Sequence, residues 1–223
     1  MQPDEVLSRL TAATLLEEDP DQGLVRLSES YQSQVEGTLD ELEGVSSEQL
    51  RTIVAERRDE EETRRLLDVC EGDPELIARY LAVTEMTDDY DFEERLRLLP
   101  VLEQFTRPAP DSGAPENFTP THPDRLPFVL NLYRRAVVYV WRDDCPPCDR
   151  MKSDLESVVS GMETDLALLA VYGPDDPQLL YDRYNVRGGP ITLFVLEGEV
   201  DSRLHGPQFP SVIESEIETL ESL

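Results

Sequence analysis

The chain has almost no lysine: Lys152 is the single one, and nearly all of its 20 basic residues are therefore arginine. Those 20 stand against 48 acidic residues, for a net charge of −28. A surface so acidic repels nucleic acid and anionic membrane, which excludes both as direct partners. Long apolar runs are missing too. No stretch approaches the roughly 18 apolar residues of a membrane span, and Met1-Gln2-Pro3-Asp4-Glu5 lacks the basic residues that open a secretory signal. A soluble, cytoplasmic protein is expected. Histidine is nearly absent, with His122 and His205 only, and these show no paired spacing. Cysteine is equally sparse: Cys70, Cys145 and Cys148. An odd number does not make a disulfide framework of the secreted kind. A zinc site built on the two close cysteines would need two further ligands that the histidines do not supply. No metal and no cofactor are expected. A repeat of fixed period is also lacking.

What remains is enough to fold. Of 223 residues, 39% are hydrophobic, which supports one or two domains with true cores rather than a disordered acidic tail. Acid excess with almost no lysine matches the composition of proteins from salt-loving archaea, where high salt screens self-repulsion. The chain reads as halophilic.

Residues 1–106 carry helical period without strand signals and read as an all-α domain of four to five helices. Leu24, Leu27, Tyr31, Val35, Leu39 and Leu42 share one helical face, with Gly44 as a stop. Ser46 or Ser47 would cap a second helix through Leu50, Ile53, Val54, Leu66 and Leu67, its charged middle at Arg57–Glu62 a solvated face. Asp73-Pro74 opens a third, and Phe92, Leu96, Leu99, Leu102 and Phe105 mark another. Residues 107–127 hold six prolines and read as a linker, whose latter part would otherwise wrap onto the second domain as an irregular edge. Cys70, in the helical half, reads as a small buried hydrophobe.

Residues 128–223 are organised around Ala136–Met151. Ala136-Val137-Val138-Tyr139-Val140-Trp141 is a buried strand, Arg142-Asp143-Asp144 an acidic turn, and Cys145-Pro146-Pro147-Cys148 the start of a helix. Met151, Leu155, Val158, Val159 and Met162 recur at spacings of three and four and form its apolar face. At a helix start the unpaired N–H groups and the macrodipole favour a thiolate. Two intervening residues let the second cysteine reach back and close a small disulfide. Downstream, Leu166–Val171 is a second strand, Leu179, Leu180 and Tyr184 mark a short helix, Ile191–Leu196 and Val200–Leu204 a hairpin, and Val212, Ile213, Ile217 and Leu220 a closing helix.

Here the chain resembles the thioredoxin family. Asp144-Cys145-Pro146-Pro147-Cys148 stands where that family has Trp-Cys-Gly-Pro-Cys, and Arg187-Gly188-Gly189-Pro190-Ile191-Thr192 is similar to its Arg-Gly-Ile-Pro-Thr stretch, about forty residues on. The resemblance covers residues 118–223. It implies an α/β thioredoxin-like fold, a mixed central sheet flanked by helices, preceded here by the all-α domain. It also implies a thiol-disulfide oxidoreductase, working in the reductive direction on protein disulfides, with Cys145 as nucleophile, Cys148 as resolving thiol, and a redox-active disulfide between them. Pro190 would be a cis proline presenting the substrate-binding loop together with Gly189. Trp141 stands where the family has an aromatic flanking the site, and reads equally as a packing residue at the strand end. Partners implied are protein disulfide substrates and an electron-donating reductase; the helical domain would take a protein partner of its own.

Some positions depart from the family pattern. Asp144 replaces the tryptophan before the first cysteine, beside Asp143, and both carboxylates would raise the thiol pKa. The family's buried carboxylate falls at Tyr139 and its lysine partner at about Val171. Gly189 replaces the bulkier residue before the proline. These departures and the extra domain support a rival reading, an adaptor that uses the thioredoxin fold as scaffold.

The halophilic reading is checked by circular dichroism. Dilution from multimolar into low salt is expected to unfold the chain, and full stability at low salt would contradict it.

Overall fold

A computed structural model describes residues 3–19, 24–87, 90–162 and 164–223. The chain divides into two compact units, Met1–Arg107 and Pro108–Leu223. Among the described residues no helix is long and apolar enough to cross a membrane.

The first unit contains α1 (Pro3–Ala12), β1 (Leu16–Glu18), β2 (Val25–Leu27), α2 (Glu29–Leu42), α3 (Ser47–Ala55), α4 (Glu60–Val69), α5 (Pro74–Met86) and α6 (Phe92–Glu103). It is helical with one small addition that the sequence reading lacked. Leu16 pairs with Leu27 and Glu18 with Val25 in an antiparallel ladder. Leu24 and Leu27 therefore precede the second helix instead of forming its first turn. The reason is Ser28, whose hydroxyl accepts the Tyr31 N–H at 3.1 Å and donates to the Thr14 carbonyl, capping α2 and tying it to the hairpin. The long helix expected after Ser46 is also two helices. Ser46 and Gln49 form a capping box for α3, and Asp59 opens a new helix by accepting the Glu62 N–H at 2.8 Å. The acidic run Glu60-Glu61-Glu62 fills the first turn of α4, where the dipole favours it. Helix α5 is apolar on nearly every side and is the buried centre of the unit, packing on α2 and α6. Cys70 ends α4, is buried, and is in no disulfide.

The second unit begins earlier than position 128. Ala109, Ala114 and Phe118 are buried, the last two in the same core as Tyr139 and Trp141. β3 (Thr119–Pro120) pairs in parallel with Leu169 and Ala170 at the sheet edge, and the Thr121 N–H donates to the Ala170 carbonyl at 2.8 Å. Prolines fit such an edge and the first turns of short helices, which is where Pro120, Pro123 and Pro127 lie. The proline-rich segment is thus part of this fold, and α7 (Leu126–Leu132) follows directly with five buried residues.

The remaining elements are β4 (Arg135–Trp141), α8 (Pro146–Val159), β5 (Ala167–Tyr172), α9 (Pro177–Tyr184), β6 (Ile191–Leu196), β7 (Glu199–His205) and α10 (Pro210–Ser222). The sheet runs β3-β5-β4-β6-β7, with β4 parallel to β5 and antiparallel to β6. Strand β4 is bonded on both sides and buried on both faces, which is why its sequence is an unbroken apolar run. Val137, Tyr139 and Trp141 face the core shared with α8 and α10; Ala136, Val138 and Val140 alternate to the other face. Glu197 (φ 51°) and Gly198 (φ 83°) turn the β6–β7 hairpin through the left-handed region, as a two-residue hairpin turn requires. Strand, helix, strand, helix, hairpin, helix is the order read from the sequence.

Candidate active site

Three consecutive elements deliver the cysteines. β4 ends at Trp141 in the middle of the sheet, the exposed turn Arg142-Asp143-Asp144 reverses the chain with Asp144 at φ 51°, and Cys145 becomes the N-cap of α8. Aspartate tolerates that left-handed conformation better than most residues. Pro146 and Pro147 occupy the first turn, where a missing N–H costs little. Cys145 and Cys148 form a disulfide, with Cα atoms 5.2 Å apart. The Cys148 N–H lies 3.2 Å from Cys145 Sγ, and the Cys145 carbonyl accepts from Cys148 and Asp149 at 2.7 and 3.1 Å.

The loop before β6 closes over the pair. The Gly189–Pro190 peptide bond is cis, and the Gly189 carbonyl oxygen is 4.0 Å from Cys145 Sγ. A Cβ on Gly189 would lie 3.1 Å from the Val140 carbonyl oxygen and 3.7 Å from Cys148 Sγ. The glycine is what lets this loop approach so closely.

Beneath the disulfide is Tyr139, fully buried, whose hydroxyl donates to the Cys148 carbonyl at 2.8 Å. This carbonyl belongs to the first turn of α8, so the bond joins the central strand to the helix start that carries the disulfide. Burial first, and the Asp149 charge second, push the phenol pKa well above its ordinary value. Tyr139 is therefore a hydrogen-bond donor across the whole neutral range and never a base there. Its neighbour on β5 in the same core is Ala170, directly opposite in register, rather than Val171. Successive strand residues alternate faces, so the one-residue difference moves the side chain to the other side of the sheet.

Beside the disulfide the two carboxylates differ. Asp143 accepts a hydrogen bond from Tyr172 at 2.7 Å, and this bond raises the Tyr172 pKa. Asp144 is exposed at the strained turn. Trp141 packs at a tilt against Tyr172, with ring centroids 4.8 Å apart, and is also covered by Gly113, where a Cβ would sit 2.1 Å from the indole. The Ser112 carbonyl accepts from Lys152 Nζ at 3.2 Å, so the sole lysine pins the segment that covers the sole tryptophan.

Of the residues singled out in the sequence, Cys145, Cys148, Gly189 and Pro190 converge. Trp141 lines the same cleft but is only 2% exposed, a packing position. Sequence reasoning missed the Tyr139 hydroxyl, the Lys152–Ser112 bond and Gly113. For the first, a tyrosine inside an apolar strand was a usable signal, because a buried hydroxyl needs a partner. Loop contacts such as Gly113 on Trp141 leave no periodic trace.

No family model matches the sequence. Among solved structures the chain is similar to a point mutant of the thioredoxin from Halobacterium salinarum NRC-1, at 23% identity over 47% of this chain and 92% of that one, TM-score 0.41. It is similar to chloroplastic thioredoxin z at 15% identity, 48% and 96% coverage, TM-score 0.42. Mitochondrial thioredoxin 3 from Saccharomyces cerevisiae, in its oxidized form, gives 15% identity, 48% and 95% coverage, TM-score 0.40. The fold of Pro108–Leu223, with its strand order and its helix sequence, is thioredoxin-like.

Replacing Tyr139 by phenylalanine removes one buried hydrogen bond, while the Cys148 carbonyl keeps its place as an acceptor within α8. A loss of roughly 0.5–1.5 kcal/mol is expected in denaturant unfolding. The raised phenol pKa adds a pH signature: its stabilising effect is complete below the ordinary value of 10.0 and fades as pH climbs towards the raised one. Tyr139→Phe should remove that part of the alkaline loss, and an unchanged alkaline slope would contradict the assignment.

Proposed function

We propose that the chain is a thiol-disulfide oxidoreductase that reduces protein disulfides through a Cys145/Cys148 dithiol–disulfide cycle. The observation that carries this reading is the disulfide at the first turn of α8, with the Gly189 carbonyl 4.0 Å from Cys145 Sγ. In the reduced protein the Cys145 thiolate, favoured by the helix start, attacks one sulfur of a substrate disulfide. A Cys145–substrate bond forms, the substrate S–S bond breaks, and the departing sulfur takes up a proton. Deprotonated Cys148 then attacks Cys145 Sγ, which closes the internal disulfide and releases the second substrate thiol. Two electrons have passed to the substrate. A dithiol reductant, in the cell an electron-donating reductase, returns them.

Gly189 and Pro190 receive the substrate backbone in this reading, and Trp141 supports the cleft wall from within. The helical unit selects a partner, and the protein works in a cytoplasm of high salt. A second reading, the redox-weak adaptor, is favoured by one feature: Cys145 and Cys148 are only 4% and 3% exposed, above a tyrosine that cannot act as a base.

A trapping experiment separates the two. Cys148→Ser is expected to accumulate mixed disulfides with cellular proteins through Cys145, visible as mass-shifted adducts that dithiothreitol removes. No adducts would favour the adaptor.

A further inference from the structure

Adjoining the disulfide, on the far side of the Gly189 loop, is an apolar cavity of about 400 Å³, near the lower end of the range for ligand pockets. Val140, Leu180 and Val186 are its buried walls, and the exposed Arg142 and Arg187 stand with Tyr181 at its mouth. Arg187 lies 5.1 Å over the Tyr181 ring, its guanidinium held in place by that stacking. Among the described residues Arg142 has no acidic partner; its neighbour Asp143 is taken by Tyr172. In a chain of net charge −28, the charged residues lining this cavity, Arg142 and Arg187, are both basic, although Asp143, Asp175 and Asp176 adjoin lining residues along the chain. The cleft beside Cys145 and Cys148 is more acidic, lined by Asp143, Asp144 and Asp149, with Arg142 standing between it and the cavity and lining both.

We propose that this cavity is a substrate-selecting subsite of the oxidoreductase, resting on the reading above. It takes an aromatic or branched apolar side chain of a polypeptide substrate, and Arg142 and Arg187 hold a carboxylate on the adjacent residue. The charge asymmetry across the disulfide then orients the substrate, acidic end towards α9 and away from Asp144 and Asp149. A small disulfide has neither anchor. The redox step is unchanged: two electrons move from Cys145 and Cys148 to the substrate sulfurs, and dithiothreitol restores them.

The test uses the full chain with excess dithiothreitol, at the lowest salt in which it stays folded, because salt screens exposed charges. Substrates are three matched peptide disulfides carrying Phe-Glu, Phe-Lys or Gly-Glu beside the cysteine, and bis(2-hydroxyethyl) disulfide. The Phe-Glu peptide should exceed the Phe-Lys peptide in kcat/KM by roughly fivefold, the effect of two exposed ion pairs, and the Gly-Glu peptide by roughly tenfold or more, the effect of one lost apolar anchor. The double variant Arg142→Glu/Arg187→Glu should reverse the order to favour Phe-Lys, an inversion that structural damage alone would not produce. Equal kcat/KM for the three peptides, an unchanged order in the double variant, or bis(2-hydroxyethyl) disulfide matching the Phe-Glu peptide would overturn the subsite. Failure of the wild-type chain to reduce bis(2-hydroxyethyl) disulfide or any peptide would instead overturn the oxidoreductase reading, and the subsite with it.

Discussion

The hydrogen bond from the Tyr139 hydroxyl to the Cys148 carbonyl, 2.8 Å long and wholly buried, couples the most constrained strand of the sheet to the helix end that carries the Cys145–Cys148 disulfide. Strand β4 cannot shift, because it is bonded to β5 on one side and β6 on the other. Helix α8 is held along its length by Met151, Leu155 and Val159 against Ile213, Ile217 and Leu220, but apolar packing has no direction. The tyrosine bond supplies direction at the first turn. Its net worth is about 1 kcal/mol. It comes from a second donor on a carbonyl already bonded within the helix, so what it adds is a fixed direction between β4 and the turn that carries both sulfurs.

Two close approaches complete the site, and both need glycine. Gly189 brings a carbonyl to Cys145, while Gly113 lets the proline-rich segment lie on Trp141. The second contact converts what looks like a tether into a wall of the cleft beside the disulfide, fastened by Lys152. Charge is distributed unevenly around these walls, acidic at the turn and basic at the neighbouring cavity. Under the proposed oxidoreductase function, that uneven charge is what distinguishes substrates by orientation.

Much of this was legible in the residues themselves. An unbroken apolar strand, a dithiol at a helix start and a glycine–proline pair in the right order carried the resemblance to the thioredoxin family, and that resemblance implied the mixed sheet. Boundaries were harder. Ser28 turned an apparent helical face into a strand and a capped helix, and Asp59 divided one long helix into two, because a single side-chain cap outweighs several residues of periodic pattern. Prolines misled in the opposite direction: read as a linker, they sit at a sheet edge and in helix first turns where no N–H is required. Contacts between loops, such as Gly113 on Trp141, depend on the finished fold and have no local signature.

The most direct test of the central claim is the reduction potential of the Cys145–Cys148 pair, titrated in high-salt buffer against a dithiothreitol redox couple and read by thiol-alkylation mass shift. The account predicts one reversible two-electron transition between about −180 and −270 mV, the span from protein disulfide isomerase to thioredoxin. A pair that shows no reversible transition, or one that stays oxidised well below about −300 mV as structural disulfides do, would contradict it.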